Sequence, residues 1–190
     1  EWREKLTPLD PWNRRVLMAT LAVFGVPPTY LDLGSGTGAM VDFARRIGVD
    51  AMGVDMIARS PPDTRADLSK PLDLGRQYDL VTCIEVAEHI RERDVGVFCN
   101  NVSGHVRANG YLVFTAAGPG QAGDGHVHLK PAPYWRTMFH ERDLNWQERR
   151  TLQVKLAWQM IPMPMMWLAS NVQVFHRRPV VDEPEEETER

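Results

Sequence analysis

The feature that most constrains this chain is a glycine-rich turn that follows a short apolar segment. Residues 31–38 read Leu-Asp-Leu-Gly-Ser-Gly-Thr-Gly, directly after Tyr30. Glycine at a strand-to-helix turn lets the backbone approach a ligand more closely than a side chain allows. The pattern therefore predicts a strand, a ligand-binding turn and a helix, as in the first unit of an α/β sheet.

Two carboxylates distinguish this turn from a dinucleotide-binding one. Asp32 precedes glycines at 34, 36 and 38, whereas a dinucleotide site has Gly-x-Gly-x-x-Gly and a helix aimed at pyrophosphate. A carboxylate at this position repels pyrophosphate and suits an ammonium group. Asp55 ends the next apolar run, where it is placed to accept both hydroxyls of a ribose. We interpret the pattern as a nucleoside site; the alternative is a structural turn in an unrelated α/β protein.

In these residues the chain resembles the class I S-adenosylmethionine-dependent methyltransferases, whose cofactor carries an ammonium, a sulfonium, a ribose and an adenine. The resemblance runs in order from about Tyr30 to Phe114. It implies a Rossmann-like α/β sandwich of about seven strands, mostly parallel, with the last strand antiparallel. It also implies that S-adenosylmethionine is the cofactor. The implied binding residues are Asp32, Gly34, Gly36 and Gly38 for the methionine part, Asp55 for the ribose, and Asp67 and Leu68 for the adenine. Ser35, Met56 and Glu85 are also implied to bind the cofactor.

The candidate catalytic residues follow a predicted fourth strand, Tyr78 to Ile84, which ends at Glu85-Val-Ala-Glu-His-Ile90. Methyl transfer needs mainly alignment and a deprotonated acceptor. His89 has an unperturbed pKa near neutrality, so we predict that His89 and Glu85 lie beside the transferred methyl group and that His89 is a general base. The alternative is that His89 caps a helix or binds a neighbouring loop.

The same segment is a candidate metal site. Glu85, Glu88 and His89 lie on one short turn, and His126 or His128 follows in a later loop. Oxygen and imidazole ligands suit Mg²⁺, Mn²⁺ or Zn²⁺. The segment is similar to the metal-binding element of the small-RNA 3′-terminal 2′-O-methyltransferases and to one in ubiquinone-pathway O-methyltransferases. By that resemblance His126 is the closer match for the later ligand, whereas the aromatic-acidic stretch that follows it in the RNA enzymes is absent here.

The remaining sequence predicts one methyltransferase domain over residues 1–179 and a disordered acidic tail over 180–190. The domain comprises a helix at 11–24, a cofactor-binding half at 29–90 and a substrate-side half at 110–178. The connection from Asp55 to Arg65 is too short and proline-rich for a full helix. Further expectations are helices at about 39–47, 91–106 and 131–144, a strand at 110–116 after an Asn-Gly turn, and an antiparallel pair at 151–158 and 171–176.

Charge, apolar runs and cysteine content indicate which kinds of binding partner and location to expect. The 190 residues carry 22 Lys and Arg against 25 Asp and Glu, a net charge of −3, so no overall basic field attracts nucleic acid. No apolar run is long enough to span a bilayer, and two cysteines without a disulfide pattern indicate a cytoplasmic protein. A small-molecule acceptor is therefore expected. RNA or protein acceptors, an NAD-dependent oxidoreductase and a catalytically silent scaffold remain alternatives.

Two segments offer further surfaces. The glycine-rich stretch 118–125 is predicted to close over the substrate as a lid; the alternative is a long surface loop. The Met- and Trp-rich segment 158–168 combines prolines with adaptable apolar side chains. It is interpreted as core, as a wall of the substrate pocket, or as a contact with a second copy or a larger assembly.

Overall fold

A single sheet organises the part of the chain that the computed structural model describes, namely Glu4 and residues 7–57, 63–162 and 166–179. Its strand order is β3-β2-β1-β4-β5-β7-β6. Strands β1 to β5 pair in parallel, and β7 is antiparallel to both β5 and β6. The strands are β1 (Thr29–Leu33), β2 (Asp50–Asp55), β3 (Thr64–Arg65), β4 (Tyr78–Ile84), β5 (Val106–Thr115), β6 (Leu144–Trp146) and β7 (Gln173–Arg177). The predicted seven-stranded, mostly parallel sandwich is confirmed.

Helices cover both faces of this sheet, as nearly continuous apolar strands require. They are α1 (Asp10–Phe24), α2 (Ala39–Arg46), α3 (Val95–Gly104), α4 (Ala132–His140), α5 (Glu148–Gln159) and α6 (Met166–Asn171). Buried side chains of α3 and α4 pack on one face of the sheet around Phe114. Those of α1, α2, α5 and α6 pack on the other face around Val113. None of the helices described is long and apolar enough to cross a membrane.

The predicted strand at 151–158 is wrong, because this segment forms helix α5. Its buried residues Thr151, Val154 and Trp158 recur at helical spacing. The Trp158 indole N–H donates to Thr20 Oγ1 on α1 at 3.0 Å. The antiparallel partners of the last strand are instead β5 and β6.

Two predicted helices extend too far, because strand pairing takes their last residues. The helix predicted at 91–106 is a 3₁₀ turn at Glu92–Asp94 followed by α3, which ends at Gly104, because Val106 already belongs to β5 and pairs with Tyr78 of β4. The second ends at His140, since Leu144 pairs with Arg177. The Asn-Gly turn lies inside β5, at an irregular register where Asn109 has a φ of 63°.

The other expected elements are confirmed: α1 starts one residue before the predicted helix, and α2 follows the glycine turn. Both cysteines are buried and unbridged. Most of the 55–65 connection, the methionines at 163–165 and the whole 180–190 tail lie outside the described residues.

Candidate active site

The site lies where the chain changes direction in the sheet. From β1 the chain proceeds outward to β2 and β3, and then returns to β4 on the other side of β1. The crevice beyond the carboxyl ends of such strands is where open α/β sheets bind ligands. The glycine turn after β1, Asp55 after β2 and Glu85 after β4 all lie at this edge. The structure therefore brings together three segments that the sequence placed apart.

The glycine turn adopts a conformation that its glycines alone permit at low cost. Gly34, Gly36 and Gly38 have φ values of 82°, 54° and 81°, all in the left-handed region. A Cβ on Gly34 would lie 2.2 Å from Val86 Cγ2. The N–H groups of Gly34 and Ser35 donate to the Val54 carbonyl at 2.8 and 3.1 Å. The turn is thus fastened to β2 and packed against the segment after β4.

Asp55 forms one unit with this turn. Its Oδ2 accepts the Gly36 N–H at 2.8 Å, and its Oδ1 accepts the Ile57 N–H at 2.8 Å. Both oxygens are therefore fixed in place, and each keeps lone-pair capacity for a further donor. Met56, the next residue, is 65% exposed beside it. The arrangement orients a carboxylate at the carboxyl end of β2, and its contact with a ribose stays a prediction.

Asp32 lies deeper than the other predicted cofactor residues. It is part of β1 and only 1% exposed. Its Oδ1 accepts a hydrogen bond from the Thr82 hydroxyl at 2.6 Å. The carboxylate lies below the turn rather than on its surface, and its action on an ammonium group stays a prediction.

The predicted adenine residues follow β3. Asp67 Oδ1 accepts the Ser69 N–H at 2.9 Å, and hydrogen bonds from the Ser69 side chain and backbone hold the pKa of Asp67 below its ordinary value. Asp67 is thus an ionised acceptor at neutral pH. Leu68 is buried, and its carbonyl accepts from the Asn101 amide at 2.9 Å, which anchors this backbone to α3.

The loop after β4 begins with a strained residue. Glu85 has a φ of 53°, which is uncommon outside glycine and concentrates at functional sites. Its N–H donates to Thr115 Oγ1 on β5 at 2.9 Å. Its Oε1 is buried and accepts no hydrogen bond from the described residues. Glu85 therefore stands at the carboxyl end of β4 in an uncommon backbone conformation, with one carboxylate oxygen buried.

His89 is exposed at the end of the 3₁₀ turn Ala87–His89. Its Nδ1 lies 3.0 Å from the Gly125 carbonyl. Because a carbonyl can only accept, Nδ1 carries the hydrogen, and Nε2 is the basic nitrogen of the neutral ring. The contact with a neighbouring loop is thus observed, and it is compatible with the predicted role as a base, which stays a prediction.

Three of the four predicted metal ligands converge. The ligand atoms of Glu88, His89 and His126 lie within 4.8 Å of one another, and this group does not include Glu85. Glu88 is fully buried, and neither of its oxygens has a hydrogen-bond partner among the described residues. Burial and the charge of Glu85 raise the pKa of Glu88 to about 8. His126 Nε2 lies 4.0 Å from Glu88 Oε1, so the carboxyl group faces an imidazole.

Hydrogen bonds within the 118–126 loop orient His126. Its Nδ1 donates to the Gln121 carbonyl at 2.9 Å, while the Gln121 side-chain oxygen accepts from Gly118 N–H and from Asn171 on α6. His128 points elsewhere: it is buried beside the rings of Tyr134 and Trp135. The later histidine of the cluster is therefore His126, and closure of the loop stays a prediction.

Sequence reasoning missed four supporting residues: Thr82, Val86, Thr115 and Gln121. Two of them are hydroxyl residues in buried strands, and a polar residue in an otherwise apolar strand is a signal that could have found them. Val86 and Gln121 carry no such signal. In the 158–168 segment Trp158 and Ile161 are core residues, whereas Met160 and Trp167 are 84% and 43% exposed.

A family model described as a methyltransferase domain matches residues 9–157. The chain belongs to this methyltransferase family. Among curated proteins, the ubiquinone biosynthesis O-methyltransferase of Azorhizobium caulinodans is 32% identical over 97 residues, which cover 44% of this chain and 38% of that protein. The one from Rhodopseudomonas palustris is 28% identical over 96 residues, which cover 44% and 37%. The matched region thus spans under two fifths of these relatives.

Solved structures share the fold of this methyltransferase domain at low sequence identity. Streptomyces venezuelae DesVI gives a TM-score of 0.64 at 14% identity and covers 93% of this chain and 96% of that one. A Burkholderia thailandensis N1-methyltransferase with bound 1,6-didemethyltoxoflavin and S-adenosylhomocysteine gives 0.63 at 14% identity, covering 93% and 87%. A sugar N-methyltransferase from a Streptoalloteichus species gives 0.61 at 17% identity, covering 89% and 86%.

Proposed function

We propose that this domain binds S-adenosylmethionine and transfers its methyl group to a hydroxyl or amine of a small molecule. The observation that carries the proposal is the single unit formed by the glycine turn and Asp55. The turn has no side chain at three positions, so a ligand can approach its backbone closely. Beside it, the Asp55 carboxylate is held by Gly36 and Ile57, where it can accept hydrogen bonds from the ribose hydroxyls. The S-adenosylhomocysteine bound by the N1-methyltransferase of the same fold supports this choice of cofactor.

The residues divide among the parts of the cofactor. The turn from Gly34 to Gly38, with Ser35, surrounds the methionine part above Asp32. Asp55 and Met56 border the ribose. Asp67 accepts from the adenine amine, and Leu68 presents its backbone to the ring. Glu85 lies at the end of β4, between the cofactor crevice and the acceptor side.

The chemistry supplied by bound S-adenosylmethionine is an electrophilic methyl group on a sulfonium. The chain contributes alignment and proton removal. His89 Nε2, fixed as the basic nitrogen by the Gly125 contact, takes the proton that a hydroxyl acceptor loses as its oxygen bonds to the methyl carbon, or the proton that an amine acceptor loses once its nitrogen is methylated. The sulfur–methyl bond breaks in the same displacement, which leaves a neutral thioether. The strained Glu85 orients the acceptor by accepting a hydrogen bond.

A divalent cation is a second candidate, favoured by the buried Glu88 whose oxygens lack hydrogen-bond partners. Glu88, His89 and His126 would hold Mg²⁺, Mn²⁺ or Zn²⁺ through one carboxylate and two imidazoles. The cation would bring an acceptor oxygen to the site and lower its pKa. In that case His89 is a ligand and not a base.

The proposal that a small molecule accepts the methyl group rests on the net charge of the chain and on the names of similar proteins. The net charge of −3 disfavours a nucleic-acid substrate, and the relatives and neighbours are named for ubiquinone biosynthesis and for a sugar. RNA methylation and a silent cofactor-binding scaffold are the competing functions. A cytoplasmic location and self-association through segment 158–168 also remain proposals.

The decisive test is calorimetric titration with S-adenosylmethionine, with NAD⁺ as the control ligand. We expect micromolar binding of S-adenosylmethionine and none of NAD⁺. Asp55→Ala should weaken the affinity about 100-fold, because two charge-assisted hydrogen bonds to the ribose are lost. Asp50→Ala, at the opposite end of β2, is the matched control, since Asp50 is exposed and pairs with Arg76 at 2.6 Å. No binding by the wild type, or equal losses in both variants, would overturn the proposal.

A further inference from the structure

Below the glycine turn, three buried polar side chains are connected by hydrogen bonds inside the sheet. The Tyr30 hydroxyl lies 2.7 Å from Thr82 Oγ1, and Thr82 Oγ1 lies 2.6 Å from Asp32 Oδ1. Each of the three residues is 1% exposed. They connect β1 with β4, where Asp32 and Thr82 are direct partners in the strand register. These are the two strands between which the chain reverses direction, so the group lies at the centre of the candidate site.

The direction of the hydrogen bonds follows from the groups present. A threonine hydroxyl has one hydrogen, and an ionised carboxylate can only accept. Thr82 therefore donates to Asp32 and accepts from Tyr30. Burial and the neighbouring charge of Asp32 raise the pKa of Tyr30 well above its ordinary value, so the phenol keeps the hydrogen that it donates. Both donors thus point toward the carboxylate.

Burial of the charged Asp32 carboxylate lowers the stability of the fold, so we expect the charge to serve ligand binding. Burying a carboxylate in a sheet carries a penalty that only donors and opposite charge offset. A packed core would be formed as well by apolar residues at these three positions. The turn directly after Asp32 has no side chain at Gly34, Gly36 or Gly38, so a cationic ligand resting on it comes close to the carboxylate, and the low dielectric strengthens the attraction.

We propose that Tyr30 and Thr82 are positioning residues that keep Asp32 charged and oriented toward the ammonium group of the cofactor. This inference rests on the proposed function, since it concerns how the same site recognises the amino-acid end of its ligand. Neither hydroxyl touches the ligand. Their effect reaches the ligand through Asp32 and is confined to its cationic part.

The experiment compares two ligands that differ only in the amino-acid end, which carries the ammonium group. S-adenosylhomocysteine carries the amino-acid end, whereas 5′-deoxy-5′-methylthioadenosine has the adenosine and a thioether without it. Thr82→Val preserves shape and removes the hydroxyl. We expect this variant to bind S-adenosylhomocysteine about tenfold more weakly, as for a lost hydrogen bond to a charged group, and to bind methylthioadenosine within about twofold of the wild type.

Three further variants exclude a general structural effect. Thr82→Ser restores the hydroxyl and should recover most of the affinity for S-adenosylhomocysteine. Tyr30→Phe removes the outer donor and should give a smaller loss with the same ligand selectivity. Thr20→Val is the matched control, because Thr20 is a buried threonine that accepts the Trp158 indole N–H on the helix layer. It should leave the ratio of the two affinities unchanged.

The outcomes separate the two proposals. If the wild type binds neither ligand, the proposed cofactor is wrong. If it binds both, and Thr82→Val and Tyr30→Phe weaken the two ligands equally, the cofactor stands and the positioning role is overturned. Should Thr82→Val not fold, Tyr30→Phe decides by the same ratio.

Discussion

A methyl group added at Gly34 tests whether the glycine turn has the shape described above. Two separate costs apply to Gly34→Ala. The φ of 82° places an L-residue in the left-handed region at about 1–2 kcal/mol. The new Cβ also lies 2.2 Å from Val86 Cγ2, and relief of such an overlap in a packed site costs about 1–3 kcal/mol. We expect Gly34→Ala to lower the free energy of unfolding by about 2–5 kcal/mol.

The two costs can be separated with matched variants. Gly48 has a similar φ of 86°, and a Cβ built there has no atom within 4 Å, so Gly48→Ala should cost only the conformational part, about 1–2 kcal/mol. In a Val86→Ala background the overlapping methyl is gone. There, Gly34→Ala should cost no more than Gly48→Ala does, a coupling energy of about 1–3 kcal/mol between positions 34 and 86.

The assay is urea unfolding at 25 °C of the wild type, the three single variants and the double variant, combined with S-adenosylmethionine titration. Gly34→Ala should also weaken cofactor affinity, whereas Gly48→Ala should not. Equal costs at Gly34 and Gly48, or no recovery in the Val86→Ala background, would refute the packing of the turn against the segment after β4.

The remaining predictions concern the acidic and imidazole groups of the second loop. The unfolded chain releases the Glu88 proton near pH 4.5, whereas the raised pKa in the folded state is about 8. Glu88 should therefore contribute a loss of stability as the pH rises through this window, because the folded state must give up a proton that the unfolded chain has already released. Compared with the wild type, Glu88→Gln should lack this loss when urea unfolding is followed in EDTA; identical pH profiles for the two proteins would contradict the burial argument. His89→Gln should lower turnover about 100-fold at unchanged cofactor affinity. If wild-type turnover persists in EDTA, His89 is a base; if EDTA abolishes it and Mn²⁺ restores it, Glu88, His89 and His126 hold a cation.

Much of the candidate site is predictable from short sequence patterns. The turn at 34–38, Asp55 and the Glu-x-x-Glu-His segment each combine a strand end with a characteristic residue, and each is contained within a few neighbouring positions. The periodicity of 151–158 was misleading because a short segment with few apolar residues fits both a helix and a strand. Helix ends at Gly104 and His140 were missed because the next residues pair with distant strands.

Residue order along the chain determined that this protein has a parallel sheet, a glycine turn of the methyltransferase type and acidic and imidazole groups after β4, since these depend on short-range patterning and backbone conformation. Only the tertiary structure decided which groups meet. Thr82 reaches Asp32 across 50 positions, and Val127 and His128 N–H groups bind the Glu88 carbonyl, which brings His126 beside Glu88. Such contacts follow from strand register and loop closure, and no spacing within the sequence encodes them.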